Sequence, residues 1–329
     1  MERTVAPQRT ACAGADLRRV LGGVLGTYVA ANNKHSERDA KKSIIDRHLV
    51  PAFGPLRLDQ IGPREIETLR AAMREAKFGA KRINNVVGCL MKLLEYAHEV
   101  GLIAKPRRVK PLRVPPQKYD FLDVPEYARL LRAAEHDPQT YAMILVAGDA
   151  GLRLGEVMAL GWTDVDLTAK RLTVSRSAWN RGKVEHLDAP KSGRDRRIDM
   201  SNRLVEALKA IRHLRGDRIF VRPGGKYMTP KTMESALHYT CRKAGIRLIS
   251  WHKLRHTFAS HLAMDNADIK TIQEYMGHST VAMTLKYMHL APGHKREAID
   301  RLERTRTAQH GQLLGSATND NSDSTKKTG

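Results

Sequence analysis

A segment rich in proline and basic residues, 104–118, is the feature that most constrains how this chain can fold. It has neither helical nor strand periodicity, and its composition is typical of an extended, solvated, positively charged linker. Separate hydrophobic patterns precede and follow it. At 329 residues the chain is long enough for two domains, each with its own core. We therefore predict two domains joined by a basic linker over residues 104–120.

The region before the linker is predicted to be a helical bundle over residues 16–103, after a flexible start over residues 1–15. Apolar residues recur at helical spacing from Asp16 onward, in Ser36–Leu49 and in Pro63–Ala76. The clearest helical pattern lies in Lys81–Val100. Its apolar stripe consists of Ile83, Val86, Val87, Leu90, Met91, Leu94 and Ala97.

The region after the linker, 121–306, is predicted to combine helices with one small antiparallel sheet. Asp123-Val-Pro-Glu126 has the N-cap, proline and glutamate of a helix start. Helical patterns follow in Tyr141–Asp149, Leu154–Leu160, Leu204–His213, Pro230–Ala244, His252–Asp265, Ile269–Met276 and His294–Arg304. Strand patterns occupy Arg171–Ser175, Val184–Leu187 and Arg196–Met200. The predicted fold class is mainly α with a small antiparallel β-sheet (α+β), followed by a disordered tail over residues 307–329.

The charge of the chain indicates a polyanionic partner. Lys and Arg number 57 against 35 Asp and Glu, which gives a formal net charge of +22. Nucleic acid is the first expectation, because the basic residues are spread along the chain and form no membrane anchor. Apolar runs are too short to cross a bilayer and residues 1–20 lack a signal-peptide core, so we expect a cytoplasmic location. Three scattered cysteines argue against disulfides or a zinc ribbon, and the glycine spacing offers no phosphate-binding loop for ATP.

The residues suited to chemistry form an ordered series in the second domain. The series is Arg153-x-x-Glu156, Lys191, His252-x-x-Arg255, Gly277-His278 and Tyr287. Each piece alone has an ordinary interpretation: a surface ion pair, a lysine at a loop tip, or a tyrosine that packs in a core. The pair His252-x-x-x-His256 could bind zinc, but Lys253 stands where a zinc protease has its glutamate base. We therefore expect no metal.

In order and spacing, this series resembles the tyrosine recombinase, or phage integrase, family. Ala150-Gly-Leu-Arg153-Leu-Gly-Glu156-Val is similar to the first arginine box of the family, and His252-Lys-Leu-Arg255-His-Thr-Phe-Ala-Ser-His-Leu to its His-x-x-Arg box. Met276-Gly-His278-Ser and Thr284-Leu-Lys-Tyr287 resemble the segment that ends in the nucleophile. The resemblance is strong over residues 122–302 and weaker over the helical domain. Lys253 departs from the family, which commonly has an acidic residue there, and we expect it to change local pairing or to contact phosphate.

The resemblance implies a reaction that cuts and rejoins DNA without metal or ATP. Arg153 and Arg255 would bind the non-bridging oxygens of a DNA phosphate, since guanidinium groups can pair with them bidentately. His278 would donate a further hydrogen bond to the same phosphate. Tyr287 would attack the phosphorus and hold the DNA as a 3′-phosphotyrosine, which stores the energy of the broken bond.

Three further residues receive supporting roles from the same resemblance. His252 would be the acid or base near the nucleophile. Lys191, on a turn between strands, would protonate the 5′-hydroxyl that leaves. Glu156 would pair with its neighbours and orient them, because its charge repels phosphate.

The expected partner is double-stranded DNA with specific recombination sites. The SAM-like helical domain and the catalytic domain would hold the duplex between them, with a homo-oligomer on DNA, as in a tetrameric synapse. An accessory DNA-bending or directionality protein is a further partner that the resemblance allows. Candidate DNA contacts are Lys81, Arg82 and Asn85 on one helix and Lys105, Arg107, Arg108 and Lys110 in the linker. The alternative interpretation is that these residues form an ordinary solvated surface.

Two other functions stay open at the level of sequence. A type IB topoisomerase uses a similar tyrosine but relaxes DNA without pairing two sites. A regulator derived from an integrase would bind DNA without cutting it, although such a protein needs no complete set of six catalytic residues. Integration or excision of a mobile element is the expected outcome. The helix His294–Arg304 would dock either on a neighbouring protomer or on its own chain.

Overall fold

The computed structural model describes residues 35–115, 120–181, 184–190, 193, 195–213, 216–291, 299–300 and 302–307. The predicted flexible start, the helix beginning at Asp16, Lys191 and residues 308–329 lie outside the described residues. The chain divides into two compact units, Met1–Gln117 and Lys118–Gly329. This division falls within the segment predicted as a linker.

The described part of the first unit consists of helices around one core. Helix α1 (His35–Ile44) continues through a π-helical turn into α2 (Val50–Phe53), and α3 (Pro63–Glu75) and α4 (Ala80–Glu99) follow. Helix α4 buries the side of its surface formed by Ile83, Val86, Val87, Cys89, Leu90, Leu93, Leu94 and Ala97. Burial therefore follows the helical spacing of the apolar residues, which is what an amphipathic helix requires.

Residues 105–115 form neither helix nor strand, but the segment is attached to the helical unit. The side-chain amide of Asn84 donates to the carbonyl of Leu112 at 2.8 Å and accepts from its N–H at 2.8 Å. Arg70 donates to the carbonyl of Lys110 at 2.8 Å. Val109 and Leu112 pack against the helical core. The expectation of a wholly solvated linker is therefore wrong for residues 109–112, because two helices satisfy the polar groups of its backbone.

The second unit is built around a helix that is buried on all sides. Helix α5 (Val124–Ala134) begins at the predicted N-cap Asp123 and leads to α6 (Pro138–Gly148), in which every residue from Ala142 onward is buried. Helix α7 (Leu154–Ala159) follows. The remaining named helices are α8 (Asn202–Ala210), α9 (Pro230–Lys243), α10 (Trp251–Met264), α11 (Ile269–Met276) and α12 (Val281–Leu285). Helices α8 and α10 pack against α6, whose apolar surface demands neighbours on every side.

Within the described residues, the strands form two antiparallel sheets instead of the single sheet predicted. One sheet joins β1 (Val165–Asp166), β2 (Arg171–Val174) and β5 (Arg196–Asp199) in that order, with Leu172 opposite Ile198. The other is a hairpin of β3 (Ser177–Arg181) and β4 (Val184–Asp188), with Trp179 opposite His186. The prediction of one sheet is wrong because β4 pairs with β3 and β5 pairs with β2. The fold class is confirmed as mainly α with small antiparallel β-structure.

The end of the described chain is helical as well. Residues 299–300 and 302–307 are helical and overlap the predicted segment His294–Arg304. None of the described helices is long and apolar enough to cross a membrane.

Candidate active site

Arg153 lies at the start of α7, where a tight turn sets its position. Gly151 has a φ of +67°, and a Cβ atom there would lie 2.4 Å from the ring of Phe258. A glycine therefore suits this turn on both counts. The N–H of Arg153 donates to Glu156 Oε2 at 2.8 Å, which completes a capping box, and its guanidinium donates to Oε1 at 2.9 Å. The predicted arginine box is thus a helix start that orients its own arginine.

Arg255 is a buried cation on α10, with 1% of its surface exposed. Its guanidinium donates to the carbonyls of Gly151, at 2.5 Å, and of Met276. Burial, and next the charge of Arg153, lower the pKa of Arg255 to about 9, so it stays charged near neutral pH. A buried cation is costly unless an anion compensates it. Glu156 supplies negative charge nearby, which favours the cationic form of Arg255.

Three arginines bind three consecutive carbonyls at the C-terminal end of α11. Arg196 Nε donates to the carbonyl of Tyr275 at 2.9 Å, Arg255 donates to that of Met276, and Arg153 donates to that of Gly277 at 3.4 Å. The last carbonyls of a helix lack partners within the helix and carry partial negative charge. The end of α11 therefore holds all three cations together.

Glu156 is the acidic member of this group. It is buried, and both its oxygens accept from Arg196, at 3.0 and 2.6 Å. Burial alone would raise the pKa of Glu156, but the hydrogen bonds and charge of Arg196, together with Arg153, lower it to about 2. Glu156 thus pairs with its neighbours as expected. We call Arg153, Glu156, Arg196 and Arg255 the arginine cluster.

Arg196 is a member of this cluster that the sequence interpretation missed. It lies on β5, where burial alternates so that Arg196 and Ile198 are buried and the residues between and after them are exposed. This period of two was the available signal, because it places Arg196 on the inner face of the strand. An open pocket of about 880 Å³ lies beside it, lined among others by Arg196, Arg197, Lys270 and His278.

His278 follows α11 directly and is held by a buried threonine. Its Nδ1 lies 2.9 Å from Thr284 Oγ1. Burial, and next Arg255 and Arg153, lower the pKa of His278 to about 3. The imidazole is therefore neutral near neutral pH, and one of its nitrogens carries a hydrogen that can be donated.

Tyr287 lies just after α12 with 2% of its surface exposed. Its ring is nearly parallel to that of His278, with centroids 6.3 Å apart. Its hydroxyl lies 2.5 Å from Nδ1 of His256, a contact that the sequence interpretation did not predict. Burial, and next His252 and Lys253, lower the pKa of His256 to about 4. We call His256, His278, Thr284 and Tyr287 the tyrosine cluster.

The other predicted site residues lie in different surroundings. His252 is exposed at the start of α10, with its ring edge-on to that of His256 at 4.4 Å between centroids. Lys253 forms an ion pair with Asp120 at 3.0 Å, a pairing that an acidic residue at this position could not make. Lys191 lies outside the described residues, and its predicted role stays a prediction.

The candidate DNA contacts are at the surface of the first unit. Lys81, Arg82, Asn85, Lys105, Arg107, Arg108 and Lys110 are all exposed. Arg82 also lies 3.3 Å from a ring nitrogen of His48. Exposure is compatible both with DNA binding and with an ordinary solvated surface.

Comparison with known proteins identifies the family. A sequence model described as the phage integrase family matches residues 120–294, which is more than half of the chain. The ICEBs1 integrase of Bacillus subtilis (strain 168) is 27% identical over 305 residues, covering 85% of this chain and 82% of the relative. A tyrosine recombinase of Thermosipho africanus (strain TCF52B) is 25% identical over 286 residues, covering 84% of this chain and 96% of the relative.

Solved structures have the same fold at low sequence identity. The integrase of transposon Tn1549, in complex with a circular intermediate DNA, has a TM-score of 0.73 at 20% identity, covering 86% of this chain and 98% of the other. A λ integrase tetramer bound to a Holliday junction has a TM-score of 0.61 at 17% identity, covering 81% of this chain and 78% of the other. The chain belongs to the phage integrase family. It is a tyrosine-type site-specific recombinase, which confirms the predicted class of enzyme.

Proposed function

We propose that Tyr287 of this chain cuts DNA by forming a 3′-phosphotyrosine and that the same site rejoins the strand. One observation carries this proposal: Arg153 and Arg255 meet at the end of α11, next to His278, whose ring faces that of Tyr287. Two fixed cations and a neutral donor beside a phenol can together bind a phosphate, stabilise the charge that develops on it and supply a nucleophile.

The proposed roles follow from the chemistry of these groups. The two guanidinium groups and His278 would bind the non-bridging oxygens and stabilise the charge that develops on them. The phenolic oxygen of Tyr287 would form a bond to phosphorus as the bond from phosphorus to the 5′-oxygen breaks. Lys191 would then give a proton to that oxygen. Rejoining would reverse each step with a 5′-hydroxyl as the nucleophile.

The remaining residues act around this centre. Glu156 positions Arg153 and Arg196 through the contacts described above. His252, exposed and in ring contact with His256, keeps its predicted role as an acid or base near the nucleophile. The described part of the site thus combines groups from α7, β5, α10 and the segment from α11 to Tyr287, and Lys191 would complete it.

We further propose double-stranded DNA as the substrate and a homo-oligomer on DNA as the active form. The net charge of +22 supports a polyanionic partner. The Tn1549 integrase is described with DNA, and the λ integrase as a tetramer on a Holliday junction, which supports the same arrangement here. The relatives named for mobile elements, ICEBs1 and Tn1549, support integration or excision of such an element. An accessory protein stays a prediction from the family.

The test is covalent capture of DNA by the full-length chain. The protein is incubated in EDTA with a pool of nicked duplexes of randomised sequence, and adducts that survive detergent are isolated and sequenced. We expect adducts with the unaltered protein and none with Tyr287→Phe. Tyr239→Phe, which alters an exposed tyrosine on α9, is the matched control and should form adducts normally.

Two outcomes would favour the alternative functions. Tight binding without any adduct would contradict cutting and favour a DNA-binding regulator. Adducts that lead to relaxation of supercoiled plasmid, with no exchange between two copies of the recovered site, would favour a topoisomerase.

A further inference from the structure

The hydroxyl of Tyr287 has a partner that no predicted role explains. His256, 31 residues earlier in the chain, places Nδ1 2.5 Å from this hydroxyl. We propose that His256 is the general base that takes the proton of Tyr287 as the phenol attacks DNA. This inference rests on the proposed function, because it assigns a step within the same reaction.

The geometry favours His256 over its neighbour His252. A general base has to lie within hydrogen-bond reach of the proton that it removes, and such contacts are often longer before substrate binds. His256 already makes this contact, and its ring centroid lies 5.7 Å from that of Tyr287. His252 is exposed, and its ring lies edge-on to that of His256. The observed contact therefore favours His256 for the base role that the resemblance to the family had suggested for His252.

The surroundings keep His256 in the form that accepts protons. Its pKa is lowered to about 4, mainly by burial, so it is neutral near neutral pH. In a neutral imidazole one nitrogen is an acceptor, and our assignment makes this Nδ1, with the hydrogen on Nε2. The charged or titratable groups around it are His252, Lys253 and Arg255 on the same helix, His278 after α11, and Lys286 and Tyr287 after α12.

Binding of DNA would strengthen this base when it is needed. The cations around His256 disfavour a second positive charge on its ring. A phosphate bound by Arg255 would bring negative charge into the same region and would raise the pKa of His256. Proton transfer would thus be favoured in the complex and disfavoured in the protein alone.

The step balances without any further reactant. The O–H bond of Tyr287 breaks, its proton moves to Nδ1 of His256, and the phenolic oxygen bonds to phosphorus. The bond to the 5′-oxygen breaks with its electron pair, and that oxygen receives a proton from a separate acid, proposed as Lys191. In rejoining, the imidazolium of His256 returns its proton to Tyr287 as the phenol leaves.

The first experiment compares His256→Asn with His261→Gln on a duplex recovered by covalent capture. Asparagine places an amide near the position of Nδ1, so it keeps a hydrogen bond but is not a base. The control alters another histidine of α10, whose Nε2 donates to the carbonyl of Leu122. We expect single-turnover cutting to slow by about 10² to 10⁴-fold in His256→Asn and to stay unchanged in the control.

A substrate with sulfur in place of the 5′-oxygen distinguishes a variant that lacks the general base from one that lacks the general acid. A thiolate leaves without a proton, so this substrate restores the rate of a variant that lacks the acid. The defect of His256→Asn should persist on it. A cutting rate equal to that of the unaltered protein, or rescue by sulfur, would overturn the assignment while leaving the proposed function intact. Absence of adducts with the unaltered protein would instead contradict the proposed function.

Two measurements give readouts that a purely structural role would not change. At saturating DNA, the cutting rate of the unaltered protein should fall tenfold per pH unit below the pKa of His256 in the complex, and His256→Asn should lack this acidic limb. In the full-length chain with ¹⁵N-labelled histidine, Nδ1 of His256 should give the signal of an unprotonated acceptor and shift in Tyr287→Phe. A proton on Nδ1 at neutral pH would overturn the proposal even if His256→Asn failed to fold.

Discussion

The arginine cluster and the tyrosine cluster lie side by side but are held in different ways. In the arginine cluster, cations bind a buried carboxylate and the backbone carbonyls at the end of α11. In the tyrosine cluster, the contacts join groups that are neutral near neutral pH, such as His278 with Thr284. Paired charges resist rearrangement because separating them leaves a buried ion without a partner. A hydrogen bond between neutral groups lets a proton move at lower cost, so one cluster is suited to fixed binding and the other to proton transfer.

The largest effect should come from removal of the carboxylate that holds the arginine cluster. Glu156→Ala leaves Arg153 and Arg196 without their buried counter-charge, and we expect the free energy of unfolding to fall by about 3 to 5 kcal/mol. Urea unfolding followed by tryptophan fluorescence measures this, since all three tryptophans lie in the second unit. Glu206→Ala removes an exposed ion pair with Lys209 from the same unit and should cost less than about 1 kcal/mol. Equal losses in the two variants would contradict the comparison.

The next effect concerns the shape of Arg255, the cation proposed to bind phosphate. Arg255→Lys keeps a positive charge but loses the planar fork that contacts two carbonyls. We expect single-turnover cutting of a captured duplex to slow by at least about 10²-fold. Arg242→Lys, at an exposed position on α9, should cut at the normal rate. If Arg255→Lys also cuts normally, a point charge suffices and the fixed geometry of the arginine cluster is not needed.

Acid should affect the tyrosine cluster at a higher pH than the arginine cluster. His256 and His278 have their pKa lowered from 6.5 to about 4 and about 3, so below pH 6.5 the unfolded chain takes up protons that the folded chain does not. Each should therefore cost about 2 kcal/mol of stability on going from pH 7 to pH 5. The pKa of Glu156 is lowered from 4.5 to about 2, so its contribution to stability is largely present at pH 5 and is lost as the pH falls from about 4.5 through about 2.

Unfolding in urea at both pH values tests this window. His278→Asn removes one of the two histidines, and its stability should fall by about 2 kcal/mol less than that of the unaltered protein between pH 7 and pH 5. The quantity to compare is the change in the free energy of unfolding between pH 7 and pH 5, because the substitution also changes stability at pH 7. An unchanged difference would mean that the pKa of His278 is not lowered in the folded protein.

The smallest effect should follow loss of the hydroxyl that holds His278. Thr284→Val keeps the shape of the side chain but leaves Nδ1 of His278 without this partner. We expect a loss of about 1 kcal/mol in stability. Cutting should slow by about tenfold, a factor worth about 1.4 kcal/mol, because the other ring nitrogen is no longer held as a donor. Thr284→Ser should restore both values. Normal cutting by Thr284→Val would show that the orientation of His278 is set elsewhere.

Local signals in the sequence predicted the helices and part of the arginine cluster. Helix α11 was predicted with the bounds that the structure has, and Asp123 accepts from the N–H of Glu126 at 2.7 Å as its capping pattern predicted. Arg153 and Glu156 are three residues apart on one helix start, so their pairing could be read from spacing. Contacts of this kind depend on a few neighbouring residues, which is why sequence reveals them.

The remaining contacts depend on packing between distant segments. Arg196 meets Glu156 across 40 residues, and His256 meets Tyr287 across 31. Neither pair has a spacing that a helix or strand would produce, so only the packing of the elements brings the residues together. Strands β1 and β3 were missed because their own sequences carry little strand signal. The first has two residues, and the second, Ser-Ala-Trp-Asn-Arg, lacks an alternating apolar pattern.

At the end of α11, the three arginines are oriented by backbone carbonyls of this segment and not by its side chains. Carbonyl oxygens are present whatever residue occupies a position, so exchanges at Tyr275 would leave the acceptor for Arg196 in place. Gly277 is the exception. It has a φ of +56°, and a Cβ atom there would lie 3.0 Å from Arg196. Substitutions at this helix end can therefore change most of its side chains without removing the acceptors for the three arginines. The glycine at 277 and a buried side chain of the size of Met276 have to be preserved.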